Sequence, residues 1–109
     1  MNDKEFEEKI RMGLHYMEYR AYLYFYYFPE EANKDEITKK AFEHTKKTAL
    51  KFISKVNKVK DEAMCEVLLE MACEREKEDL FKDLEIYKSD AEYMIRFTSN
   101  TVSYLKPKT

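Results

Sequence analysis

Apolar residues recur at Phe6, Ile10, Leu14, Met17, Ala21, Phe25 and Phe28, in steps of three and four. That spacing marks one face of an α-helix. Met12, Tyr16, Tyr19, Leu23 and Tyr26 or Tyr27 form a second row, roughly 60–100° further round the same helix. Together the rows cover half the circumference or more, wider than the stripe a surface helix needs. The pattern predicts a helix over 3–28 that is either central in its fold or covered on its second side by a partner. Asn2 with Glu5 has the spacing of a capping box, and Pro29 disfavours continuation. Gly13 lies mid-helix, where close approach of a neighbouring helix would account for it as well as chance would.

The rest of the chain repeats the helical period with shifting residue size. Residues 29–34 form the clearest loop, and Asn33 with Glu36 predicts the start of a second helix over 34–58. Its stripe is Ile37, Ala41, Thr45 or His44, Thr48 or Ala49, Phe52, Val56 and Val59, widened by Phe42 and Ile53. The small residues at its middle would receive the tyrosines of the first helix. Asn57 and Asp61 are the expected stop and restart. A third helix over 61–88 carries Met64, Leu68, Met71, Ala72, Leu80 or Phe81, Leu84 and Tyr87, flanked by Cys65, Leu69 and Cys73. Ser89 to Glu92 has capping-box spacing and predicts a fourth helix over 90–105, with Tyr93 or Met94, Phe97 and Thr101 inward and Pro107 as its stop. The expected fold is a single all-α domain, 1–109, an up-and-down bundle of three to four helices.

Composition agrees with that expectation. One Gly and two Pro in 109 residues leave little material for the turns of a sheet protein. Charged residues make up 39%, yet the net charge is −2, so no global field attracts polyanions. The charges are segregated along the chain. Residues 34–60 hold nine Lys against three acids, and residues 61–92 hold twelve acids against four bases. Such segments are expected to lie beside each other as packed neighbours. Cys65 and Cys73, on one helix, would be about 12 Å apart along its axis, too far for a disulfide. Free thiols, a charged N-terminal stretch with no apolar leader, and no run long enough to span a bilayer together predict a cytoplasmic protein without membrane contact.

Candidate chemistry is thin. No Gly-rich phosphate loop and no Gly-flanked nucleophile occurs, and the two thiols sit among acids that raise a thiol pKa. Neither a cofactor nor an enzymatic activity is expected. His15, Glu18, His44, Glu70 and Glu74 are the residues a metal could use. Glu18, followed by Ala21, Phe25 and Phe28, resembles a stretch of the rubrerythrin-type ferritin-like proteins, in which an inward Glu precedes a small residue and two aromatics. That resemblance implies a four-helix metal-binding bundle. The chain departs from it at the second helix, where Glu43 is followed three residues later by Lys46 rather than His.

The reading that remains is protein–protein interaction. The second row of the first helix carries more aromatic surface than so small a bundle readily covers. Tyr16, Tyr19, Leu23, Tyr26 and Tyr27 are therefore the expected contact residues, for another protein or for a second copy in a homo-oligomer. Two alternatives stand beside it. One is the ferritin-like metal bundle. The other is association with nucleic acid through the Lys-rich second helix.

Overall fold

The computed structural model describes residues 3–105, with side chains described for all of these except 6–12, 14 and 102–105. Five helical segments follow one another: α1 (Asp3–Tyr27), α2 (Pro29–Ala32), α3 (Glu36–Asn57), α4 (Glu62–Lys82) and α5 (Leu84–Leu105). No strand occurs among the described residues, and the fold is an all-α bundle of four long helices and one short turn. None of these helices is long and apolar enough to cross a membrane. The expected cap at Asn2, the stripe positions Phe6, Ile10, Met12 and Leu14, and the stop at Pro107 lie outside the described residues or side chains.

α1 is the central element. It packs most extensively against α5 and α3, and α4 crosses it more lightly. Residues 19 and 21–25 are all buried, so this stretch is enclosed on every side. Ring contacts show how α3 runs back along it. Tyr16 and Tyr19 meet Phe52, whereas Tyr22 and Phe25 meet Phe42. Between those two phenylalanines α3 buries Thr45, Thr48 and Ala49, with Ala41 just before Phe42, the small residues expected there. They let the two backbones approach while the larger rings interlock above and below.

Local chemistry sets the junctions. Pro29 does end α1, at Tyr27, but it also opens the four-residue α2, where a missing N–H costs nothing. Four of the six residues of the expected loop are thus helical. Asn33 is not the cap of α3. Its amide donates back to the Pro29 carbonyl at 2.8 Å, and Asp35 takes the capping role, its carboxylate accepting from the Thr38 N–H at 2.8 Å. That hydrogen bond holds the Asp35 carboxyl below the usual carboxylate range. α3 stops at Lys58, which adopts the left-handed conformation with φ 56°. Asp61 then caps α4 as expected, accepting from the Ala63 N–H at 3.1 Å.

The last junction corrects the sequence. The chain turns at Asp83, not at Ser89, and Ser89 to Glu92 lie inside α5. The capping-box spacing there is overruled by packing. Tyr87, Ala91, Met94 and Thr98 form one continuous buried row that would be broken by a turn at 89. Of the expected pair Tyr93 or Met94 it is Met94 that faces inward, joined by Thr98, while Tyr93, Phe97 and Thr101 face outward.

Candidate functional site

The aromatic row of α1 is not the open surface its sequence suggested. Leu23 is fully buried and Tyr19 is 4% exposed. Tyr26 and Tyr27 are half-buried, and of the five residues only Tyr16, at 42%, is well exposed. The cover comes from the chain's own helices. Tyr19 stacks on Phe52 with ring centres 5.2 Å apart, and the Tyr27 hydroxyl donates to the Cys73 carbonyl at 2.8 Å. Burial pushes the Tyr19 and Tyr22 phenols well above their ordinary range. It also pushes the Cys73 thiol up to about 12, helped by Glu74 and Glu70. Such a thiol stays protonated at neutral pH and is no nucleophile.

Next to this row lies a polar clasp. Arg20 Nε donates to Asp90 Oδ2 at 2.6 Å, joining α1 to α5, while its guanidinium sits 5.0 Å from the centre of the Tyr16 ring. The side chains are 29% and 13% exposed, so the pair is sheltered but not sealed.

The residues a metal could use do not converge. His44 Nε2 lies 3.7 Å from Glu18 Oε1, and His15 Nδ1 is buried with no hydrogen-bond partner among the described residues. Glu70 and Glu74 are elsewhere, close enough to Tyr26 to raise its phenol further after burial has done so. Glu18 and Tyr26 are about 12 Å apart along α1. No group of three His, Cys, Asp or Glu able to hold a metal ion occurs among the described residues.

Exposed apolar side chains lie chiefly on α4 and on α5, where Ile86, Tyr93 and Phe97 are about half exposed, with Val56 on α3 and Tyr16 on α1. On α4, Cys65, Leu69, Ala72, Cys73 and Leu80 face the core. Met64, Val67 and Met71 lie on roughly the opposite side of the helix, exposed by 48%, 53% and 54%. This reverses the expected phase, in which Met64 and Met71 pointed inward and the cysteines flanked them. Leu68 lies half-buried on the border. With this row inside, the Cys73 carbonyl comes within reach of the Tyr27 hydroxyl of α1. Both rows are legible in the sequence, but their equal steps do not rank them.

Between α3 and α4 runs an open cleft of about 490 Å³. Lys47, Lys51, Lys55 and Lys60 line it opposite Glu62 and Glu66, with Leu50 and the buried Cys65 between them. The Lys-rich and acidic segments are thus neighbours, as expected. Yet among the described residues no lysine of α3 comes within 4.0 Å of a carboxylate of α4. A nucleic-acid backbone entering the cleft would meet two glutamates along with the lysines. Comparison of the chain with protein-family models, with curated proteins and with solved structures finds no match in any of the three.

Proposed function

We propose that this chain is a non-enzymatic protein–protein interaction module, an adaptor, assembly subunit or blocking regulator, that contacts another chain through the outer face of α4. The observation that carries the reading is the second apolar side of α4. Met64, Val67 and Met71 follow one another at helical spacing in the open, where charged residues are the norm for a surface helix. Methionine suits such a surface, because its flexible thioether adapts to a partner's shape.

The experiment is a site-specific photocrosslink in cells that express the protein. Benzoylphenylalanine at position 67 or 71 is expected to give a discrete adduct, of twice 13.2 kDa if the partner is a second copy and of another mass if it is not. The same group at exposed Lys88 should give none, and Met64→Glu should abolish the adduct while the far-ultraviolet circular dichroism stays unchanged. Equal adducts from position 88, or none from 67 and 71, would overturn the reading.

A further inference from the structure

Glu62, Glu66, Glu70, Glu74 and Glu78 follow at four-residue steps along α4, and Lys47, Lys51 and Lys55 do the same along α3. Residues four apart are neighbours on a helix, so each row sets like charges about 6 Å from one another. Each row therefore gains from an opposite charge laid along it. The short turn at 58–61 folds α4 back beside α3, which brings Lys55 level with Glu62 and Lys51 level with Glu66. All four line the cleft, one row on each wall, with Leu50 and Cys65 between them. None of these lysines is ion-paired within the chain among the described residues.

We propose that this cleft is the two-fold contact of a homodimer, in which a second copy supplies the opposing walls. Charge and symmetry together select the arrangement. In a two-fold contact the same patch serves both partners, and residue i meets j wherever j meets i. An axis running along the cleft keeps each residue at its own level and exchanges the walls. Lys51 of one protomer then faces the partner's Glu66, Lys55 faces the partner's Glu62, and the reverse pairs form by symmetry. An axis across the cleft would instead set lysine row against lysine row and is repelled. A polyanion fits this cleft less well than a second copy does, since one wall is acidic. The surface is distinct from the outer face of α4, because Met64, Val67 and Met71 do not line the cleft. The dimer leaves both copies of that face uncovered.

The test is the solution mass of the full chain, by sedimentation velocity, at low salt and in 1 M sodium chloride. Twice 13.2 kDa is expected at low salt, with dissociation at least tenfold more favourable at high salt, where the screening length falls to about 3 Å. Lys51→Glu with Lys55→Glu should be monomeric. So should Glu62→Lys with Glu66→Lys, and an equimolar mixture of the two variants should regain the dimer mass. Lys39→Glu with Lys40→Glu, on α3 outside the cleft, should leave the mass unchanged. If a reversed chain loses its helical circular dichroism, Lys51→Gln and Glu66→Gln take its place and should each weaken the dimer. A wild-type monomer at both salts, a dimer indifferent to the reversals, or a mixture that fails to pair would overturn the proposal. So would a monomer that binds heparin with a steep salt dependence. A photocrosslink from position 67 that survives in the monomeric variants separates this failure from that of the α4 contact.

Discussion

Gly13 is exposed, and a Cβ built there would meet nothing within 4 Å among the described residues. Among those residues no close approach of another helix accounts for this glycine. Its cost is purely conformational, since it frees the unfolded chain and leaves a turn of α1 bare. Gly13→Ala should raise stability by about 0.5–1 kcal/mol, read as a higher denaturation midpoint with an unchanged slope. A lower midpoint would show that the position makes a contact after all. Lys58 presents the opposite case. Its left-handed backbone is strained for any residue with a Cβ, and the chain accepts that strain to reverse direction in four residues. The reversal is secured nearby, where the Val59 N–H donates to the Ser54 carbonyl and the Ser54 hydroxyl donates to the Val59 carbonyl.

At the scale of elements, the Arg20–Asp90 clasp is the polar link between α1 and α5. A double-mutant cycle with Arg20→Ala and Asp90→Ala should give a coupling of about 1–2 kcal/mol, below that of a fully buried charged pair because Arg20 remains partly solvated. Additive losses would mean that the contact is incidental. The same aspartate shows where sequence reasoning reaches its limit. Three to four helices were legible because apolar residues recur at steps of three and four, although that pattern lapses between Cys73 and Leu80. So was the end of α1 beside Pro29, where residue chemistry is strong and local, whereas the restart at Asp61 had the weakest signal because nothing between Val56 and Glu62 is Gly or Pro. Ser89 to Glu92 has equally strong local chemistry, but the inward row Tyr87, Ala91, Met94 and Thr98 decides against it. α4 misled for a different reason. Two apolar rows at equal steps cannot be ranked without knowing how close the neighbouring helix comes. The apolar rows of α1 are largely covered by the chain's own helices, while Met64, Val67 and Met71 of α4 are exposed.

For the whole molecule, the consequence of a core built from tyrosine is a dependence on pH. Burial raises the phenols of Tyr19, Tyr22, Tyr24, Tyr26, Tyr27 and Tyr87, the last to about 12. In the unfolded chain these groups lose their protons near pH 10. Above that pH the unfolded state gains by ionising while the folded state cannot, so stability is complete below about pH 10 and falls as pH rises towards the folded values. Phenolate absorbance at 295 nm and loss of helical circular dichroism should therefore rise together above about pH 10. Titration of all nine tyrosines near 10 with the helices intact would contradict this. The central position of α1 has a consequence in time as well. Arg20 and Asp90 are 70 residues apart, and α5 leaves the ribosome after the other described helices. At about 5–20 residues per second, translation leaves the aromatic stretch of α1 without that neighbour for roughly 4–14 s. During those seconds its rings are the most adhesive surface on the nascent chain. A truncation that removes α5 should make that exposure permanent and turn the core of this bundle into its aggregation site.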